Sequence, residues 1–467
     1  MQLEFFGAAG EVTGSCHILR TGNHQILLDC GLIQGSPRHE ARNRDPFPFA
    51  ADNIDAVVLS HAHIDHSGRL PLLVKRGFKG PIYTQNASRD LAEILLKDSA
   101  YINEREAEYE NRRRERKGLE PIESLYTSAD ADNALARFKG MRYEEVFEVV
   151  PGVQVLFHDA GHIMGSAVVE VNVEANKVKR TLIFSGDLGQ FDAPILRDPS
   201  LIEHADIVLS ESTYGNRVHR DRAHTVAEIG EIIKDAQAHK GNILIPAFAV
   251  GRSQEVLYMF GRHYDEWDLD RWHVFLDSPL AIEASHIYWD YPHLYDGEAT
   301  KLRRNIDVLP DKPRNLHLTK SAEESMVINK IHSGGIIIAG SGMCNGGRIL
   351  HHLKHNAWRR ECHIIIVGYQ AQGSLGRRLV DRKKFIKIHG ETIRVKARVH
   401  TVGGLSAHGD QTDLMRWYSG FKNKPPLYLV HGEPESAAAY SEKLRADFNA
   451  EVHIPQTGTK VDLTQLN

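Results

Sequence analysis

The sequence predicts an α/β protein, with a β-rich sandwich covered by helices and a second region built on a parallel sheet. Three observations predict it. The first 60 residues alternate short apolar runs with turn signals, residues 146–187 repeat that texture, and from about 209 to 385 apolar strands alternate with helical stretches. A chain of 467 residues is long enough for two or three units that each bury a core.

Taken in order, Leu3 to Phe6, Cys16 to Leu19 and Gln25 to Leu28 read as strands separated by Gly- or Asn-containing turns. Ile54 to Leu59 is a largely apolar strand that runs straight into His61-Ala62-His63-Ile64-Asp65-His66. Leu70 to Lys75 begins a helix, Pro81 to Thr84 is a strand, and Ala87 to Ala100 is a longer helix. Residues 101–120 are dense in charge and read as a solvated helix laced with i,i+4 pairs. The interleaved glutamates argue against Arg112, Arg113, Arg114, Arg116 and Lys117 forming a polyanion patch.

Further on, Asn242 to Pro246, Val274 to Leu276, Gly335 to Ala339 and His363 to Val367 read as strands. They alternate with helices such as Val226 to Ala236 and Arg252 to Phe260. That βαβ rhythm implies a parallel sheet. At 385 it gives way to FIKIHGETIRVKARVHTV, which reads as a hairpin of two alternating strands with a Gly-Glu turn.

Composition narrows the function classes. The formal net charge is −4, so a polyanionic partner has to be attracted by local patches or metal ions. Cys16, Cys30, Cys344 and Cys362 lie far apart with no CxxC, which excludes a disulfide framework and a cysteine zinc cluster and fits a reducing compartment. The start, MQLEFFGAAGEVTGS, lacks a basic stretch followed by a long apolar run. No segment reaches the roughly 18 apolar residues of a membrane span, so the expectation is a cytoplasmic protein without a membrane partner.

The chemistry concentrates in residues 61–66. Four metal-binding side chains in six residues cannot all reach one tetrahedral zinc without strain. At the mouth of a strand, His61 and His63 can serve one ion while Asp65 and His66 turn to a second. Two metals roughly 3.5–4 Å apart can clamp both oxygens of an in-line phosphoryl displacement.

This HxHxDH pattern resembles the signature of the metallo-β-lactamase superfamily. Further matches follow in the family's order: His162 in HDAGHIMGSA, Asp187 in FSGDLG, and Asp29 in LLDCG. The second half is similar to the β-CASP branch, named for nucleases that process RNA and DNA. Glu211 in LSESTYG, the segment IPAFAVGRSQEVL, His408 in GLSAHGD and His431 in YLVHGEPE carry that likeness. The resemblance covers essentially the whole chain. It implies a four-layer αββα metallo-β-lactamase sandwich with an inserted α/β β-CASP domain. Residues 1–208 would form the first part of the sandwich, 209–385 the insertion, and 386–467 the returning segment.

It also implies a site. His61, His63 and His162 would hold one zinc, Asp65, His66 and His431 a second, with Asp187 bridging; manganese can substitute in such a donor set. Asp29 would orient a ligand through a hydrogen bond. A metal-bridged hydroxide would attack phosphorus, with Asp65 counted among the catalytic groups. His408, oriented by Glu211, would protonate the leaving oxygen. The implied reaction is hydrolysis of single-stranded RNA, endonucleolytic or from the 5′ end, because within the branch a histidine at the position of His431 marks RNA-processing members. A DNA nuclease, a small-substrate (thio)ester hydrolase of the same fold and a non-catalytic scaffold in an RNA-processing complex stay open as alternatives. A homodimer is a further option.

Phosphate contacts are expected where Gly-rich turns follow apolar strands. SGMCNGGR supplies Ser341 and Arg348, GYQAQGSLGRR supplies Gly373 and Ser374, and VGRSQE supplies Arg252. The bland alternative is that these glycines only permit tight turns.

Overall fold

The computed structural model describes residues 1–175, 177–305 and 314–466. The chain divides into two compact units, one of residues 1–193, 198–218 and 408–467, the other of residues 194–197 and 219–407.

The first unit is built on two seven-stranded sheets. One runs Lys460–Asp462, Gln2–Gly7, Cys16–Thr21, His24–Leu28, Ala56–Val58, Ile82–Gln85, Phe138–Met141 in spatial order. The other runs Val452–His453, Leu427–Val430, Ile207–Glu211, Val178–Phe184, Ala167–Ala175, Val153–Asp159, Phe147–Val150. Period-two alternation sorts their side chains. Val169, Val171, Ile207 and Leu209 enter the core between the sheets with Leu3, Phe5, Leu28 and Val58. Val168 and Val208 point the other way and pack under Trp417 and Leu414 of the helix Gln411–Ser419 and Tyr440 and Leu444 of the helix Pro434–Phe448. On the opposite outer face, Ile18, Leu27 and Val57 meet Leu70 and Leu73 of the helix Leu70–Lys75. This is a four-layer αββα sandwich.

The second unit holds a six-stranded sheet ordered Leu316–Leu318, His273–Leu276, Gly335–Ala339, Ile243–Pro246, His363–Ile366, Arg398–Thr401. Every pairing in it is parallel. Both faces are buried, which is why the strands read as unbroken apolar runs such as GIIIA. Ile336 and Ile338 pack with Ile229, Leu257 and Phe260 on one face, while Ile337 and Ala339 pack with Ile349, Leu353 and Leu379 on the other.

Two local expectations change. The helix expected over Ala87–Ala100 and the charge run beyond it are one continuous helix, Asn86–Glu115, with Lys97–Glu93 and Arg113–Glu110 pairs on its surface. The segment after 385 is a hairpin only through Glu391–Arg394, which pairs antiparallel with Phe385–Ile388. Ala357 O then accepts from the backbone N–H groups of Lys396 and Ala397 and turns the chain, and Arg398–Thr401 joins the parallel sheet beside His363–Ile366. No helix among the described residues is long and apolar enough to cross a membrane.

Candidate metal centre and acid–base pair

All of the chemistry-bearing side chains of the first unit gather where its strands end. Three neighbouring parallel strands, Val178–Phe184, Ile207–Glu211 and Leu427–Val430, finish side by side. Their ends supply Asp187, Glu211 and His431. From the facing sheet, Ala56–Val58 leads to His61 and His63, and a single helical turn, Ile64–Ser67, carries Asp65 and His66. His162 sits in the loop after Val153–Asp159, where the Ser166 hydroxyl accepts from the His162 and Ile163 N–H groups at 3.1 and 3.2 Å.

The loop bearing Asp65 interlocks with the one that follows His24–Leu28. Ser15 N donates to Asp65 O at 2.9 Å and Cys30 N to His66 O at 2.8 Å. A Cβ on Gly31 would lie 1.5 Å from Asp65 O, so only glycine permits this approach.

The donor atoms form two sets around one shared carboxylate. His63 Nδ1 lies 3.1 Å from both His61 Nε2 and His162 Nε2, and Asp187 Oδ2 is 3.5 Å from the latter two nitrogens. His66 Nε2 lies 3.2 Å from His431 Nε2 and 3.3 Å from Asp187 Oδ1, with Asp65 Oδ2 at 3.4 Å from His431 Nε2. Zinc–nitrogen bonds of ~2.05 Å in a tetrahedron place donors roughly 3.3 Å apart. Asp187 Oδ1 is buried and has no hydrogen-bond partner among the described residues, as expected of an oxygen directed at a cation. The residues therefore fit a metal cluster.

Hydrogen bonds behind the cluster fix which ring nitrogens face it. Asp29, buried and at φ 61°, accepts His66 Nδ1–H at 2.7 Å, the Ser15 and Ser60 hydroxyls at 3.0 Å, and Ser60 N–H at 2.8 Å. Because the Ser60 proton goes to that carboxylate, its oxygen accepts from His61 Nδ1–H at 3.1 Å. Nε2 of both histidines is thereby left as the donor.

Burial dominates the electrostatics of His61 and His63, holding the first well below the ordinary imidazole value and the second near 4, so both are neutral ligands. Burial also opposes a proton on His408, but Glu211 and Asp187 outweigh it and raise this group to about 9. His408 Nδ1 lies 3.2 Å from both Glu211 oxygens and 3.9 Å from Asp187 Oδ2. Glu211 is itself held by Leu188 N–H at 2.6 Å. This arrangement favours the protonated form of His408 beside a set of candidate metal donors.

The residues expected to contact phosphates all lie in the second unit, where Arg252, Ser341, Arg348 and Ser374 have local partners. Arg252 is buried and pairs with Glu255. Arg348 pairs with Asp277 at 2.7 Å and donates to the carbonyls of Thr319 and Lys320. The Ser341 hydroxyl accepts from Asn345 and Gly346 N–H, Gly373 has φ +85°, and Ser374 caps the helix Leu375–Val380.

The sequence reading passed over Ser15, Ser60, Thr213 and His17. The first three offer a hydroxyl, a type too common to stand out, although Ser60 precedes His61 and Thr213 stands two residues after Glu211. His17 is buried between the rings of Phe5 and Phe184, and burial holds it near 3.

Comparisons with known proteins give the family. A family model described as Metallo-beta-lactamase superfamily matches residues 9–213, a Beta-Casp domain matches 253–379, and a Zn-dependent metallo-hydrolase RNA specificity domain matches 392–455. The chain is 39% identical to Ribonuclease TTHA0252 of Thermus thermophilus, over 99% of this chain and 100% of that protein. It is 29% identical to the Transcription termination factor FttA of Methanocaldococcus jannaschii, over 97% of this chain and 70% of that one. A solved structure of a protein of unknown function from Enterococcus faecalis V583 shares the fold at 13% identity, with a TM-score of 0.57 over 98% of this chain and 99% of that one. The chain belongs to the β-CASP family of metal-dependent hydrolases within the metallo-β-lactamase superfamily.

Proposed function

We propose that this protein hydrolyses phosphodiester bonds of single-stranded RNA with two zinc ions and with His408 as the general acid. The observation that carries the reading is the pairing of the His/Asp cluster with a His408–Glu211 couple 3.9 Å from its shared carboxylate. RNA is favoured because the RNA-specificity family model spans both His408 and His431, and because a relative that the chain covers over its whole length is named a ribonuclease. The insertion, which the sequence reading bounds at 209–385, is assigned to the β-CASP domain.

His61, His63 and His162 would hold one ion and Asp65, His66 and His431 the other, with the Asp187 carboxylate within reach of both donor sets. When bound, the ions supply Lewis acidity at the phosphoryl oxygens and lower the pKa of the attacking water. Glu211 accepts the Nδ1 proton of His408 and fixes the ring, so that Nε2 delivers its proton to the leaving ribose oxygen. Asp29 and Ser60 keep His66 and His61 in the tautomers that can bind metal.

The test is cleavage of matched end-labelled single-stranded RNA and DNA by the intact protein, a chelated sample and His408→Ala. RNA alone should be cut, chelation should stop it, and His408→Ala should lower the rate by about 10²–10⁴-fold. Metal binding without cleavage of either polymer would overturn the reading, and the fragment ladder separates internal from 5′-end cutting.

A further inference from the structure

Thr213 stands two residues beyond Glu211, and His431 follows Val430, the residue paired with Glu211 in the neighbouring parallel strand. The Thr213 hydroxyl lies 3.0 Å from His431 O and 3.1 Å from His431 Nδ1. A hydroxyl has one proton, and a carbonyl oxygen can only accept. The proton therefore goes to His431 O, and the ring nitrogen must donate to the hydroxyl oxygen.

With Nδ1 protonated, His431 Nε2 carries the lone pair, and it is this atom that lies 3.2 Å from His66 Nε2 and 3.4 Å from Asp65 Oδ2. Ser60 does the same for His61 in the other donor set, through one proton given to Asp29 and one accepted from the ring. Resting on the two-metal reading above, we infer that Thr213 is the positioning residue for the second metal, selecting the tautomer in which His431 can bind it.

The same hydroxyl also fixes ring orientation. His431 is held at φ 48°, and its N–H donates to Ala8 O at 2.7 Å, so the backbone is set independently of the side chain. Thr213 adds its bond to His431 O and determines the χ rotation and tautomer of the ring. The backbone under Thr213 has its own anchor, since the Ser436 hydroxyl donates to Ser212 O at 2.6 Å, with Thr213 O at 3.0 Å from the same hydroxyl. Replacing Oγ1 by a methyl group removes the bonds to His431 Nδ1 and His431 O, while Ser212 N–H still donates to that carbonyl at 3.2 Å.

The experiment counts metal per chain after dialysis against graded chelator, in the full-length wild type, Thr213→Val and Thr213→Ser, with melting of the metal-free proteins as the folding control. Thr213→Val should lose about one of the two equivalents, its weaker site falling in affinity on the order of 10–100-fold, while Thr213→Ser retains both. Two retained equivalents in Thr213→Val would overturn the inference. Loss in both variants would overturn it too, because the β-branched shape and not the hydroxyl would then matter. A wild type that holds no metal would bring down the two-metal reading itself, and the inference with it.

Discussion

At the scale of single residues, His408 decides the pH behaviour. Glu211 and Asp187 raise it to about 9 against the opposing effect of burial, so the acid form is present at neutral pH and is lost as pH rises through that value. Bound cations add positive charge beside it and move the same limb downward. Single-turnover cleavage should therefore fall on the alkaline side at or below pH 9, and Glu211→Gln should move that limb further down by removing the main raising charge. An unmoved limb in Glu211→Gln would assign the titration to another group. Gly31→Ala gives a second residue-scale prediction. The new methyl group would collide with Asp65 O, so the variant should lose metal affinity together with stability, measured by metal titration and melting. The candidate donors in residues 61–66 were legible because they are local, four in six residues, whereas His162, Asp187 and His431 came from the family resemblance, and the structure brings them to the same place. Thr213, Ser60 and His17 were not legible. Their contribution depends on what the fold brings opposite them, and neither a hydroxyl nor a lone buried imidazole carries a spacing signal.

At the scale of elements, the buried Asp277 gives Arg348 a partner within the second unit. Asp277 follows the strand His273–Leu276 and accepts from Arg348, Thr319, Ser325 and His352 at 2.6–2.7 Å. Burial alone would raise its pKa, but these donors outweigh that and hold the carboxyl well below the usual range. A group lowered in this way stabilises the fold fully above its unfolded pKa, ~3.9, and the stability is lost as pH falls toward the folded value. Asp277→Asn should cost about 3 kcal/mol, because it leaves buried cationic and hydrogen-bonding partners unmatched. Denaturant unfolding at neutral pH measures this, and a loss below 1 kcal/mol would mean the partners re-pair with water. The parallel strands were readable as apolar runs buried on both faces. The split after 394 was not, because it is set by a tertiary contact, with Ala357 O capturing the N–H groups of Lys396 and Ala397.

At the scale of the molecule, the first unit gains most from metal. Its donors come from the crests of both sheets, so a bound ion ties together segments as distant in sequence as His61 and His431. An ion present at 100 times its dissociation constant stabilises the bound state by ~2.7 kcal/mol. Chelation should lower the melting temperature of the intact protein, and zinc should restore it; a melt indifferent to chelator would show that the cluster holds no ion. The sandwich and the parallel sheet were legible from strand texture, whereas the unit edges near 218 and 408 carry no composition signal of their own.

The most direct test of the central claim is the fate of water oxygen. Single-stranded RNA cleaved in a single turnover in ¹⁸O-labelled water should yield linear terminal phosphates carrying one labelled oxygen, read by mass spectrometry of the fragments. Unlabelled 2′,3′-cyclic phosphates would show that the ribose hydroxyl attacks phosphorus instead, and would contradict metal-assisted hydrolysis at this site.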